Sequence, residues 1–213
     1  MRLDYERDPA AIYRQSFQTV RQEADLASLP DDLKDVAVRL VHACGMPDIV
    51  ADLAWSEAAV ASGQRALSNA APILCDCTMV QSGIIASRLA DNVALICTLN
   101  HPDVAGHAGA IENTRSAAAV DFWRDHIDGA IVVIGNAPTA LFHLLEQLDE
   151  GWPKPALILA FPVGFVGAAE SKAELAANPR GVPFLTLHGR RGGSAIAAAA
   201  LNAVAAGLPE ISQ

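Results

Sequence analysis

The sequence predicts an α/β protein: a Rossmann-like, open and mostly parallel sheet with helices on both faces. Three observations lead there. Five short apolar runs recur along the chain, helical patterns separate each from the next, and each run ends in a turn rich in small or polar residues. Ligands of such sheets bind beyond the carboxyl ends of the strands, so those turns are where functional residues are sought.

The N-terminal part is helical before any strand appears. Asp8-Pro9 supplies a cap and a first-turn proline, and Ile12, Tyr13, Phe17, Val20 and Ala24 recur at helical spacing as a buried stripe, so a helix runs to about residue 26. Pro30-Asp31-Asp32 opens a second helix, which Gly45 stops. The five strands are "APILCD" at 71–76, "VALICTL" at 93–99, "AIVVIG" at 130–135, "ALILAFP" at 156–162 and "PFLTLHG" at 183–189. Helical patterns fill 79–88, 113–126, 138–148, 171–177 and 194–206. No repeat or low-complexity linker interrupts them, and 213 residues suit one well-buried core. One domain is expected over 1–213, with N-terminal helices at 8–45 and an α/β core at 50–207.

Composition narrows the function classes. With 24 acidic residues against 15 basic ones the net charge is −9, which makes nucleic acid and anionic membrane surfaces poor partners. The most apolar window, "GAIVVIGNAPTALFHLLEQL", is broken by Asn136 and Pro138 and carries His143, so it reads as strand, turn and helix rather than a membrane span. The start, "MRLDYERDPA", lacks the apolar stretch of a signal peptide, and a cytoplasmic location is expected. Cys44, Cys75, Cys77 and Cys97 lack the two-pair spacing of a zinc site and read as small core residues in a reducing compartment. Of the 15 basic residues 12 are Arg, the side chain that grips carboxylates and phosphates by a two-pronged hydrogen bond. That bias suits a polyanionic small molecule; biased base composition in the gene accounts for it equally well.

The turns after the strands are "CDCTM", "GNAPTAL", "FPVGFVGAAESK" and "HGRRGGSA". Glycine lets backbone approach a ligand, and the free amides at a helix start attract anions. None is a dinucleotide fingerprint: "GRRGGSA" lacks the G-x-G-x-x-G spacing, follows the last strand and has no Walker lysine. A carboxylate-binding or purely structural turn fits it better. No G-x-S-x-G elbow occurs either, which argues against a serine hydrolase of that type.

One histidine stands out, in "RLVHACGMPD" at 39–48. Helical phase gathers Leu33, Val36, Ala37, Leu40 and Cys44 on one face and sets His42 about 180° from Leu33, with Asp35, Val38 and Arg39, on a side expected to face outward. An outward histidine is ordinarily a solvated surface residue. In the last turn of a helix, however, the negative end of the dipole is expected to raise its pKa, which suits an acid at neutral pH. Metal ligation is disfavoured, because Gly45 and Met46 occupy the positions three and four further on. His101 and His107 flank "PDVAG" in an expected loop, His126 ends a helix, His143 lies within one, and His188 precedes a glycine turn.

In order along the chain, "IYRQSF", "VRLVHACG", "APILCDCTMV", "NTRSAAA", "GNAPTALFHLLE", "PVGFVGAAESK" and "GVPFLTLHGRRGGSAIAAAALNAVA" resemble the precorrin-8X methylmutase family, which includes the cobalt-precorrin-8 enzymes. The resemblance covers roughly residues 5–206. It implies an isomerase that moves a methyl group from C-11 to C-12 of a contracted tetrapyrrole, giving hydrogenobyrinic acid or its cobalt counterpart. It also implies a Rossmann-like homodimer with its anionic tetrapyrrole substrate near the subunit interface, no organic cofactor and no metal site. In this family the histidine of the R-x-x-H segment is the proposed acid, and here that is His42.

Such a shift is intramolecular, so the enzyme chiefly holds the ring and biases its electronics; protonating ring C, or donating to its nitrogen, favours migration. The substrate's acetate and propionate carboxylates are expected to meet Arg14 and Ser16, Arg115 in "NTRSAAA", and Arg190 with the amides near Gly193 and Ser194. Asp76 and Met79 are expected pocket-lining residues, with turn cap and core plug as their structural readings. Glu170 and Lys172 read as a helix-start cap and a solvated charge. The segment "VHACG" resembles the metal-free branch more closely than the cobalt one. Two other classes fit less of the chain: a tetrapyrrole carrier without catalysis, and a dinucleotide-dependent oxidoreductase, against which the missing G-x-G-x-x-G counts.

Overall fold

Strands flanked by helices on both sides must be apolar on both faces, and the sheet meets that demand. The computed structural model describes residues 3–206; residue 207 of the expected core lies outside them. Among the described residues six strands form one sheet: β1 (Leu53–Trp55), β2 (Ile73–Cys75), β3 (Leu95–Ile96), β4 (Ile131–Ile134), β5 (Leu157–Ala160) and β6 (Phe184–Leu187), in the order β1-β6-β5-β4-β2-β3. Every residue of β2, β4, β5 and β6 is buried. All neighbours are parallel except β1, which runs antiparallel to β6 with Leu53 opposite Leu187. The fold is the doubly wound α/β class expected.

Among the described residues nine α-helices accompany the strands: α1 (Pro9–Glu23), α2 (Asp31–Cys44), α3 (Ala59–Ser68), α4 (Thr78–Gly83), α5 (Val104–Ala110), α6 (Arg115–Asp121), α7 (Pro138–Asp149), α8 (Ala168–Ala177) and α9 (Ser194–Ala206). Strand alternation sorts them into two layers. Ile131, Val133, Leu157, Leu159, Leu185 and Leu187 pack toward α1, α2, α3, α4 and α9, while Val132, Ile134, Ile158, Ala160 and Phe184 pack toward α6, α7 and α8. The alanine excess is concentrated in α9, where Ala197, Ala198, Ala199, Ala200 and Ala203 are buried. No helix among the described residues is long and apolar enough to cross a membrane.

Several expectations change. β1, α3 and α5 carry too weak a pattern to be seen in the sequence. Gly63 sits inside α3, where an added Cβ would lie 2.6 Å from Val204 and 2.7 Å from Leu157. The expected loop around His107 is helical in α5. The helix expected at 79–88 stops at Gly83, because Asn202 of α9 bonds the Gly83 carbonyl and the Ile85 amide, and a 3-10 turn, Ala86–Arg88, follows. Phe17, Val20 and Ala24 of the α1 stripe are buried, but Ile12 and Tyr13 remain 46% and 40% exposed.

Candidate active site

α2 carries His42, and both of its sides are covered. One side packs on α9; the other, expected to meet solvent, lies against α1, so Val38 and Arg39 are only 0% and 8% exposed. α1 begins where Asp8 accepts hydrogen bonds from the Ala10 and Ala11 amides, and its next turns bring three groups onto His42. The Phe17 and Tyr13 rings lie 5.0 and 5.6 Å from the imidazole, and Ser16 Oγ lies 2.8 Å from its Nδ1. Ser16 and His42 are thus one pair, although 26 residues separate them in sequence. They line a hollow of about 410 Å³ with Ile12, Thr19 and Val41.

With Nδ1 engaged by Ser16, Nε2 is the ring nitrogen left for a ligand. The pKa of His42 shifts opposite to expectation. Burial pushes it below the usual histidine value, and the Arg39 cation pushes the same way. In the free protein, then, His42 at neutral pH is a neutral hydrogen-bonding group.

Apart from Arg14 on α1, the remaining candidates lie along the carboxyl ends of the parallel strands. Asp76, directly after β2, is 3% exposed, and its carboxylate accepts from the amides of Gly135, Asn136 and Ala137 at 3.0, 2.9 and 2.9 Å. Those contacts give it a structural task, closing the turn between β4 and α7. Met79 is 72% exposed, so it is no core plug. Ser194 is buried with its hydroxyl 3.4 Å from Cys77 Sγ, and the Gly193 amide donates to the Phe161 carbonyl at 2.8 Å, which leaves that amide unavailable to an anion. Arg190 is exposed, 5.5 Å from the Phe165 ring. Arg14 is exposed and sits 3.7 Å from Asp8; Arg115, at the start of α6, is exposed and reaches the Leu99 carbonyl at 3.4 Å.

The loop before α9 is firmly braced. Arg191 bonds Asp48 and Asp52 at 2.6 Å each, tying the loop to the segment just after α2. Lys172 is not a solvated charge: it is fully buried, and its amine donates to the Arg191 carbonyl. Burial pushes that amine down to about 8. Gly192 admits no side chain, since a Cβ there would lie 2.3 Å from the Phe161 carbonyl oxygen.

Sequence reasoning misread Lys172 and passed over Arg39. Arg39 was set aside by its phase, yet it is buried and its natural partner one turn back, Asp35, bonds Arg21 instead at 2.9 Å. Because Asp35 stands one turn before it, the sequence carried no signal that Arg39 lacks an acid partner.

This is a doubly wound α/β protein whose histidine borders a hollow and whose own Asp76 carboxylate occupies the amides at the central crevice, where a dinucleotide phosphate would otherwise sit. Residues 11–206 match the family described as precorrin-8X methylmutase. The precorrin-8X methylmutase of Pseudomonas aeruginosa is 61% identical, over 95% of this chain and 98% of that one. The enzyme of the same name from a Sinorhizobium species is 52% identical, over 95% and 96%. A crystal structure of the Thermus thermophilus precorrin-8X methylmutase superposes with a TM-score of 0.81 at 38% identity, over 91% of this chain and 93% of that one. The chain belongs to the precorrin-8X methylmutase family and is an isomerase of cobalamin biosynthesis.

Proposed function

We propose that this chain catalyses the intramolecular methyl shift from C-11 to C-12 of precorrin-8X, giving hydrogenobyrinic acid, with His42 acting on ring C. The observation that carries this reading is the Ser16–His42 hydrogen bond at the rim of the hollow between α1 and α2. It fixes the imidazole and directs Nε2 to the ligand. A donor at the ring C nitrogen withdraws electron density while the methyl breaks its bond to C-11 and forms one to C-12, with no second reactant. The metal-free substrate is favoured because the Pseudomonas aeruginosa and Sinorhizobium relatives bear its name.

The substrate's carboxylates would meet a chain of net charge −9, so local cations must hold them. Arg39 is buried without an ion pair among the described residues, and Arg14, Arg115 and Arg190 offer exposed guanidinium groups, all four suited to that task. Phe165, Val166 and Met79 are 83%, 88% and 72% exposed at the carboxyl edge of the sheet, an apolar surface that a second copy would cover in a homodimer with the site near its interface. The enzyme works in the cytoplasm as a single domain without an organic cofactor.

The test is the absorbance spectrum of precorrin-8X incubated with wild type and with His42→Ala. Conversion by wild type alone supports the reading. Equal conversion by both removes His42 from the mechanism, and binding without conversion by wild type makes the chain a carrier.

A further inference from the structure

We propose that Arg191 is a positioning residue for the methyl shift. It fixes the loop that presents Arg190 to a substrate carboxylate against the turn that walls the His42 hollow, so that seating one arm of the tetrapyrrole brings ring C to the imidazole. The proposal deepens the reading above, in which Arg190 meets a carboxylate and His42 acts on ring C, and rests on it.

The two adjacent arginines of "HGRRGGSA" meet opposite fates. Both Nη atoms of Arg191 are taken by the chain itself, Nη1 at 2.6 Å from Asp48 and Nη2 at 2.6 Å from Asp52. One cation between two carboxylates leaves that spot net negative, so it repels a substrate carboxylate rather than holding one. Arg190 is exposed, has no ion pair among the described residues, and keeps its guanidinium 5.5 Å from the Phe165 ring. Of the pair, Arg190 is free to grip an anion, and Arg191 serves the chain.

The two carboxylates belong to the 3-10 turn Pro47–Asp52, which follows α2. Pro47, the residue before Asp48, lines the hollow of about 410 Å³ together with His42, Ser16 and Gly45. The Asp52 carbonyl accepts from the His188 amide at 2.7 Å, so backbone as well as side chain joins this turn to the segment after β6. On its other side the loop is held by the buried Lys172 amine on the Arg191 carbonyl. The Gly164 amide donates to the Arg190 carbonyl at 3.3 Å, and the Gly193 amide to the Phe161 carbonyl at 2.8 Å. These last three ties set the loop against the end of β5 and α8, while Arg191 and the His188 amide set it against the wall of the hollow. An exposed ion pair ordinarily adds little to stability, because ordering the side chains costs entropy and water screens the charges. One guanidinium bridging two carboxylates of a single turn instead sets a spacing. A broad, rigid ring gripped at one arm carries any error in that spacing to its far side, where the methyl group moves.

The experiment measures kcat and KM for precorrin-8X and the dissociation constant of hydrogenobyrinic acid, each well below the variant's Tm. It compares wild type, Arg191→Met, Arg191→Lys, Asp48→Asn, Arg190→Met, and a double variant combining Arg190→Met with Arg191→Met. Arg191→Met is expected to lower kcat and raise KM by roughly tenfold each. Arg191→Lys, which keeps the charge and can reach one carboxylate, is expected to recover part of both. Asp48→Asn cuts one tie at an exposed carboxylate, and a smaller loss in the same direction is expected even where Arg191→Met does not fold. Adding Arg191→Met to Arg190→Met is expected to change the dissociation constant by less than about twofold, since a loop without its grip has nothing to place. Wild-type kcat and KM in Asp48→Asn and in any folded Arg191→Met overturn the proposal alone and leave Arg191 a stabilising ion pair. Wild-type affinity in Arg190→Met, or a full additional loss in the double variant, also overturns it, because Arg191 then does not act through Arg190. Absence of both conversion and binding in wild type overturns it together with the function it rests on.

Discussion

Asp76 decides between a pocket-lining role and a structural one, and its replacement tests the structural account most sharply. Oδ1 accepts from Gly135, and Oδ2 accepts from both Asn136 and Ala137. Asp76→Asn can keep its oxygen at the two-bond position, which leaves the Gly135 amide facing an NH2 group: one buried donor without an acceptor, costing about 1–3 kcal/mol. Asp76→Ala orphans all three amides and opens a small void, for about 3–5 kcal/mol, near the upper end of single-residue effects. For a chain of this size roughly 2–4 °C of Tm goes with each kcal/mol, so Asn lowers Tm by several degrees and Ala by ten or more. Calorimetry or a guanidinium titration reads both. The two variants should rank in that order, with KM for precorrin-8X near wild type in Asp76→Asn. Wild-type stability in Asp76→Ala together with a large rise in KM would refute the reasoning and return Asp76 to the substrate.

Four further outcomes are expected. Ser16→Ala removes the bond that orients the imidazole and should lower kcat by roughly tenfold with little change in KM, as measured by the rate of product absorbance. Gly192→Ala forces a Cβ against the Phe161 carbonyl and should cost about 1–3 kcal/mol in a denaturant titration. Lys172 binds fewer protons folded than unfolded between about 8 and its ordinary value of 10.5, so its share of stability increases as pH rises through that window. Midpoints at pH 7.5 and 10 should diverge in wild type relative to Lys172→Met, which lacks this increment. The same variant loses the tie to the Arg191 carbonyl, and its KM should rise as the loop before α9 loosens.

Much of this was legible in the sequence where local signals agree with tertiary packing. The runs around Ile131–Ile134 and Leu157–Ala160 could only be buried strands, Asp8 capped α1, and Gly45, at φ 69°, ended α2. What escaped was set by distant partners. α3 tolerates Gly63 because Val204 and Leu157 need the space, and α4 breaks because Asn202 draws off its backbone groups. His42 was singled out, but the covering of its helix face by α1 was invisible, since an amphipathic helix packed on two sides shows the phase of its stronger side alone. Hence the dipole argument gave the wrong sign for its pKa, and Arg39 passed for a surface residue.

The position of Asp76 also explains why the chemistry lies where it does. In the order β6-β5-β4-β2-β3 the chain reverses direction between β2 and β4, and the crevice at their carboxyl ends is where an open α/β sheet ordinarily receives a phosphate on exposed amides. Here the three amides after β4 already hold a carboxylate that is part of the chain. A dinucleotide phosphate would have to displace a buried Asp, so the fold's usual anion seat is closed, and the proposed functional groups stand elsewhere, on the α1–α2 layer and the braced loop before α9. A broad, many-armed polyanion suits that arrangement, because it asks for cations spread over several elements rather than one deep nest. Asp76→Ala should therefore leave the free amides able to bind inorganic phosphate, a gain detectable as a phosphate-dependent rise in Tm in the variant and not in wild type.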